Sequence, residues 1–235
     1  MESTIAVEQA TPGIGQLRES SLHAALKAWY ARPGDRLEAV VDGCVVDVVR
    51  DDLLIEVQVS NLLAIRDKLR RLAGQSVLLV HPVASEKVIV HVDAATGEIV
   101  RRRRSPKRGR VEELFDELVH LGDDLNRDGL TLDVPLVAVE ELRCADGRGS
   151  WRRQGVSIVD RRLIEVRAVE HFASGLDLAR LLPAGLVAPF SNRDLAAALG
   201  LRRRLAQRMT YCLRQVGVLR EAGKRGHALL FERTI

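Results

Sequence analysis

Between residues 36 and 59 the chain alternates short apolar segments with polar turns, and this run restricts the possible folds more than any other. It predicts three strands, at 36–41, 44–50 and 53–59, joined by hairpin turns at Asp42-Gly43 and Asp51-Asp52. Helices are predicted from about residue 20 to residue 30 and from 61 to 72, and the apolar run 76–83 predicts a buried strand. A strand that follows a crossover helix is most simply parallel to the strand before it. The order α-β-β-β-α-β therefore predicts a mixed α/β (α+β) domain.

Three polar side chains interrupt the apolar strands of this run. Asp47 lies between valines in the second strand, and Glu56 and Gln58 lie in the third. Because strand side chains alternate between faces, Glu56 and Gln58 project on one side, and the hairpin can bring Asp47 close to them. Two carboxylates on a partly buried sheet are costly unless a cation binds them, and a divalent metal would do so. The alternative is a half-exposed sheet on which the three residues are ordinary polar neighbours.

The element order, with Asp47 and Glu56-Val57-Gln58, resembles the PD-(D/E)xK nuclease superfamily, particularly its Holliday-junction-resolvase-like branch, over about residues 16–92. The resemblance implies a restriction-endonuclease-like αβββαβ core in which Asp47 and Glu56 bind Mg²⁺ or Mn²⁺. It also implies that Glu19 is the additional helix acid found in many members. Hard carboxylate oxygens suit Mg²⁺, which lowers the pKa of a bound water and offsets charge on the phosphorane.

Gln58 occupies the position at which the motif usually has a lysine, so the resemblance carries a departure from the family pattern. A glutamine can orient water by hydrogen bonding but brings no charge. Lys68, on the predicted crossover helix, and Lys87, on the following strand segment, are the nearest candidates to supply it. The same departure supports an alternative, namely a non-catalytic DNA-binding regulator or architectural protein built on an inactive nuclease scaffold.

The carboxyl-terminal part of the chain is strongly basic, with 18 Lys and Arg against 9 Asp and Glu in residues 141–235, although the whole chain has a net charge of only +4. This excess predicts a module that binds a polyanion. Ser191 and Asp194 have capping-box spacing, which predicts a helix at 192–199 that Gly200 ends. A second helix is predicted at about 202–216, followed by a strand, a basic turn and a strand.

These elements resemble a winged helix-turn-helix domain over residues 171–235. The resemblance implies that basic and polar residues of the second helix face the DNA major groove, namely Arg202, Arg203, Arg204, Gln207 and Arg208. The residues implied to touch phosphate or the minor groove from the wing are Lys224, Arg225 and His227. A small packing or dimerisation domain is the alternative for the same pattern.

A dense basic run lies between the two parts of the chain. Its cationic residues include Arg101, Arg102, Arg103, Arg104, Lys107 and Arg108. We expect this run to contact the DNA backbone, and the alternative is a solvated tether.

The sequence predicts a flexible lead-in at 1–16, a nuclease-like domain at 17–145 and a winged-helix domain at 151–235, with the boundary near 145–155. This layout also resembles an uncharacterised bacterial family that pairs the two folds. Widely spaced Cys44, Cys144 and Cys212 fit neither a disulfide framework nor a zinc site and favour a reducing cytoplasm. No signal-peptide pattern and no apolar run of about 20 residues is present, so no membrane partner is expected.

The sequence therefore leads to the hypothesis of a cytoplasmic DNA-binding protein with a magnesium-dependent endonuclease domain. DNA is the expected partner, and a homodimer is a further state that the nuclease resemblance implies.

Overall fold

The computed structural model describes residues 20–234, and its first elements follow the order predicted from the sequence. They are α1 (Ser21–Tyr30), β1 (Arg36–Val41), β2 (Cys44–Arg50), β3 (Leu53–Val57), α2 (Arg66–Arg71) and β4 (Ser76–Val80). The strands β1, β2 and β3 pair antiparallel, and β4 pairs parallel with β3 as expected after a crossover helix. The Ser20 hydroxyl caps α1 by accepting a hydrogen bond from the His23 backbone N–H.

The next elements extend the same sheet. They are β5 (Val83–Val92), β6 (Ile99–Arg104), α3 (Phe115–Leu118), β7 (Leu130–Cys144) and β8 (Ser157–Phe172). The β4 and β5 segments act as one long strand interrupted at His81-Pro82. Their parallel register with β7 continues across the interruption, with Val80 opposite Asp133 and Val83 opposite Leu136. The strands β1–β3 flank the first half of this long strand, β6 flanks its second half, and β8 pairs along the other edge of β7.

Apolar side chains cover both faces of the first half of the sheet. On one face, Leu22 and Leu26 of α1 pack in a cluster with Val48 and Ile55. On the other face, the cluster contains Leu69 of α2 and Phe115 of α3 and continues into the carboxyl-terminal elements. Burial of these aliphatic side chains holds the helices against the sheet.

The sequence placed the domain boundary near 145–155, whereas the structure places the change of architecture after Phe172. Residues 157–172 form β8, which pairs antiparallel with β7 over its whole length. The pairing contains three register shifts, and each shift inserts an extra β8 residue. These insertions interrupt the alternation of apolar and polar residues that marks a strand in a sequence. For this reason the sequence of residues 157–172 did not clearly predict a strand.

The carboxyl-terminal elements are β9 (Phe190–Ser191), α4 (Asn192–Leu199), α5 (Arg203–Gln215), β10 (Leu219–Arg225) and β11 (Ala228–Arg233). The predicted capping box forms between Ser191 and Asp194, and Gly200 adopts φ of 63° at the turn that separates α4 from α5. The small sheet has the order β10-β11-β9. No helix between residues 20 and 234 is long and apolar enough to cross a membrane.

Hydrogen bonds from three side chains join these carboxyl-terminal elements to the helical layer on the large sheet. Arg110 donates to the Leu199 carbonyl at 2.6 Å, and Asn126 donates to the Gln215 carbonyl at 2.6 Å. Arg208 donates to the backbone and side-chain oxygens of Asp116 at 2.7 and 2.8 Å. Because the apolar cluster is also continuous between the two parts, they form one packed unit.

Candidate functional site

Asp47 is held at the edge of the β2–β3 hairpin by two donors on one of its oxygens. The Val57 backbone N–H donates to Asp47 Oδ2 at 2.8 Å, and His23 Nε2 of α1 lies 3.3 Å from the same oxygen. Burial opposes ionisation of this carboxyl, but the His23 and Val57 contacts outweigh it and lower the pKa of Asp47. Asp47 is therefore a carboxylate at neutral pH.

Glu56, its neighbour on β3, is buried, with only 4% of its surface exposed. The ammonium of Lys68 on α2 contacts Glu56 Oε1 as an ion pair. Burial is the main effect on this carboxyl and the charge of Asp47 adds to it, so the pKa of Glu56 rises to about 7 although Lys68 opposes the change. Two acids of different proton affinity thus meet on one hairpin.

The structure distinguishes the two lysines that the sequence offered near this site. Lys68 reaches Glu56, whereas Lys87 Nζ lies 2.9 Å from Glu141 on β7, in the second half of the sheet. The crossover helix therefore places a cation, Lys68, beside the carboxylates, whereas the residue at the motif position is the uncharged Gln58.

The side chain of Gln58 is turned to the loop that follows β3. Its amide Nε2 donates to the carbonyl of Ser60 at 2.6 Å and lies 3.2 Å from the carbonyl of Asn61. The Gln58 carbonyl lies 2.7 Å from Nδ1 of the buried His81, whose pKa is lowered by that burial. Gln58 and His81 thus shape the loop beside the carboxylates, and the amide of Gln58 is engaged by backbone oxygens.

Glu19, the predicted fourth acid, lies outside the described residues. Among residues 20–234, no group of three or more His, Cys, Asp and Glu side chains is arranged to hold a metal ion. The sequence analysis also missed His23, although it lies in the first turn of the predicted α1. Nothing in its spacing showed that this turn crosses the hairpin at Asp47.

Most of the predicted DNA-facing residues lie on an exposed surface of α5. Arg202, Arg203, Arg204 and Gln207 are exposed, and none of their side chains has an ion pair or hydrogen bond within the described part of the chain. Arg208 instead turns inward to Asp116 and joins α5 to α3. Tyr211, which the sequence analysis did not single out, is 41% exposed one turn beyond Gln207.

The residues predicted to form the wing are also exposed. Lys224 and His227 lie around the β10–β11 turn, and Arg225 Nη1 lies 3.6 Å from Asp194 Oδ2. Surface ion pairs of this length contribute little stability, so the Arg225 side chain stays available to an anion.

The basic run at 101–108 is a strand rather than a tether in its first part. Its first four arginines lie in the exposed edge strand β6, where Arg102 pairs with Glu140 at 3.0 Å. Arg108 pairs with Glu86 at 3.1 Å, and Lys107 pairs with Glu113 at 2.9 Å. The remaining arginines, Arg101, Arg103 and Arg104, have no acidic partner among residues 20–234. Charged residues on an edge strand also discourage pairing with another chain.

Comparison with known proteins identifies a family model that matches more than half of the chain. A family model described as "Domain of unknown function (DUF8091)" matches residues 20–173. The chain belongs to this family. It is also 33% identical over 223 residues to an "Uncharacterized protein" of Treponema pallidum (strain Nichols), and the alignment covers 94% of this chain and 87% of that relative. No solved structure matches the chain.

The bounds of the DUF8091 match agree with the architecture. The match begins at Ser20, which caps α1, and ends directly after β8, so it contains the eight-stranded sheet and the carboxylate site. The α4 and α5 helices lie beyond it.

Proposed function

We propose that this DUF8091 protein binds DNA and hydrolyses its phosphodiester bonds at the Asp47–Glu56 site with Mg²⁺ or Mn²⁺. One observation carries the proposal: Lys68 contacts Glu56, and Asp47 lies on the same hairpin. Two acids and one lysine therefore meet at this site, and these are the side-chain types on which the nuclease motif depends. The lysine comes from α2, because Gln58 occupies the position at which the motif usually has a lysine.

The fold supports the same function. The order α1-β1-β2-β3-α2-β4, with β4 parallel to β3, resembles the order of a restriction-endonuclease-like core. The order β9-α4-α5-β10-β11, with its basic α5, resembles that of a winged helix. These two likenesses supply a cleavage site and a surface for DNA within one packed unit.

The chemistry of the donor set fits a magnesium ion better than a metal that needs many protein ligands. Mg²⁺ is commonly bound by one or two carboxylates and keeps several waters for contact with a phosphate. Asp47 and Glu56 are the residues that would hold it. A divalent ion bound there supplies a water of lowered pKa and positive charge for the phosphate.

The other side chains act on the substrate in ways that follow from their positions. Lys68 adds positive charge beside the scissile phosphate and helps to orient the attacking water, which Gln58 cannot do while its amide is bound by the loop. Arg202, Arg203 and Arg204 hold the DNA backbone at α5, since their guanidinium groups are exposed and without partners in the described structure.

A nicking assay tests this proposal. Purified protein with Mg²⁺ or Mn²⁺ should convert supercoiled plasmid to open circles or cleave branched DNA, and Asp47→Asn and Lys68→Met should each abolish cleavage. Asp52→Asn is the matched control, because Asp52 is exposed in the turn of the same hairpin. Equal cleavage by Asp47→Asn and Asp52→Asn would remove the active-site assignment.

A second candidate function is DNA binding without cleavage, and one observation favours it. His23 and Lys68 already face Asp47 and Glu56, so each carboxyl group has a nitrogen donor of the protein beside it. This alternative predicts salt-dependent DNA binding that is indifferent to divalent metal. Calorimetric titration with Mn²⁺ separates the two functions: heat of binding that Glu56→Ala removes favours the nuclease, and no heat in either protein favours the non-catalytic alternative.

A further inference from the structure

The loop that joins β7 to β8 presents a tryptophan to solvent. Trp151 is 83% exposed, more than any other large hydrophobic side chain in residues 20–234. The loop lies at the end of the second half of the sheet, where Val92, Cys144 and Ser157 are in register. So large an exposed apolar surface is unfavourable in water, and a partner that covers the Trp151 ring would bind with the free energy of burying that surface.

The loop has a defined shape that holds Trp151 at its tip. The Gly149 N–H donates to the Gly155 carbonyl at 3.0 Å, and the Ser157 hydroxyl donates to Asp146 Oδ2 at 2.9 Å. A Cβ at Gly149 would lie 1.9 Å from the Val156 carbonyl oxygen, so only glycine allows this close approach. Trp151 opens the short helical turn Trp151–Arg153 within the loop.

Three arginines lie in the same loop as the tryptophan and make the loop cationic. The guanidinium of Arg152 lies over the Trp151 ring at 5.4 Å from its centroid. Arg148, Arg152 and Arg153 form no ion pair with a carboxylate among the described residues, and Arg153 Nε donates to the Val156 carbonyl at 3.2 Å. The nearby Asp146 accepts from the Arg148 backbone N–H and from the Ser157 hydroxyl. Arg101 of β6 pairs with His91, which lies one residue before the end of β5 at the base of the loop.

We propose that this tip binds an unstacked base of DNA, with the Trp151 ring stacked on the base and the arginines on the flanking phosphates. An aromatic face bordered by guanidinium groups complements a base bordered by phosphates, and stacking needs no particular sequence. Bases inside a duplex are already stacked, so the tip selects single-stranded or branched DNA. This inference rests on the proposed DNA binding and specifies which form of DNA the protein prefers.

Tryptophan fluorescence tests the tip directly, because the chain has only two tryptophans. The Trp29→Phe variant leaves Trp151 as the reporter, and a single-stranded oligonucleotide should quench its emission more strongly than the matching duplex. Trp151→Ala should weaken binding of the single strand, measured by fluorescence anisotropy of labelled DNA, by roughly fivefold to a hundredfold. Trp29→Phe is the control and should bind as the wild type does, since Trp29 lies on α1.

The possible outcomes separate this inference from the function on which it rests. DNA binding with unchanged Trp151 emission and unchanged affinity in Trp151→Ala would overturn the tip assignment alone. Absence of DNA binding in the wild type would overturn the proposed function as well. A shift of Trp151 emission on anionic lipid vesicles but not on DNA would assign the tip to a membrane surface and overturn the inference. A shift on raising the protein concentration alone would assign the tip to a contact with a second copy of the chain and would also overturn the inference.

Discussion

Glu56 and Glu141 are two buried glutamates of the same sheet whose surroundings give them opposite proton affinities. Glu141, which is 1% exposed, faces Lys87 Nζ at 2.9 Å, Arg143 Nη2 at 2.7 Å and Arg161 Nε at 3.1 Å. Burial alone would raise the pKa of Glu141, but these three cations outweigh it and lower that pKa to about 2.

Among residues 20–234, Glu56 pairs with one cation, Lys68, and has a neighbouring acid, Asp47. Burial prevails there and raises its pKa to about 7. The number of cations around a buried carboxyl therefore separates a structural group from one that can take a further ligand. Glu141 is compensated within the fold, and Glu56 is compensated only in part.

The largest expected effect is the loss of stability in Glu141→Gln. Removal of the carboxylate leaves three cations at a site built around it, so the free energy of unfolding should fall by about 3 to 5 kcal/mol at pH 7. The folded-state pKa lies below the ordinary value, so this contribution is full above about pH 4.5 and is lost as the pH falls toward 2. Urea unfolding of both proteins should therefore show a difference that shrinks in acid.

The neighbouring Glu140→Gln is the matched control for that substitution. The Glu140 side chain is partly exposed and pairs with Arg102 at 3.0 Å, so its loss should cost less than about 1 kcal/mol. If the two variants lost equal stability, the contrast between Glu141 and Glu56 would not hold.

An effect of the opposite sign is expected for Glu56→Gln in metal-free protein. Because the folded-state pKa is raised, Glu56 contributes stability below about pH 4.5 and loses it as the pH rises through about 7. A neutral glutamine avoids this loss, so the variant should be more stable than the wild type by roughly 1 to 2 kcal/mol at pH 8. Unfolding curves in chelator at pH 5 and pH 8 measure this difference, and a destabilised variant at pH 8 would contradict it.

The smallest expected effects come from removing one lysine at each site. Lys68→Met removes the one cation that pairs with Glu56 in the described part of the chain and should raise the pKa of that carboxyl above 7 by about 1. Lys87→Met leaves Arg143 and Arg161 on Glu141, whose pKa should stay below the ordinary value. Carbon-13 NMR titration of the glutamate carboxyls compares the two, and equal changes would show that the count of cations is not what distinguishes the sites.

The hairpins and the meeting of the two acids could be predicted because their signals are local. Asp42 and Gly43 adopt φ of 49° and 72°, the backbone that an Asp-Gly turn favours, and the turn fixes the strand register. Lys68 was a candidate for the same reason, since it lies in the helix directly after the Glu56 strand.

Features that depend on distant partners could not be predicted. Consecutive arginines have no strand pattern, and Arg102, Arg103 and Arg104 lie in a strand because β5 pairs with them. Arg208 occupies a position that the helical pattern left exposed, but it turns inward because Asp116, from a segment 92 residues earlier, lies within hydrogen-bond distance. His23 meets Asp47 only through the packing of α1 on the hairpin.

The β4–β5 segment follows β7 from end to end, with an interruption at His81-Pro82 and a register shift between Ala84 and Glu86, and its length sets the distance between two sites. Val80 lies beside the end of β3 at the carboxylate site, and Val92 lies at the base of the Trp151 loop. Strand geometry of about 3.3 Å per residue sets roughly 40 Å between these points along the strand. DNA that touches both the tip and the carboxylates therefore has to extend over roughly 12 nucleotide steps, at about 3.4 Å for each step of a duplex.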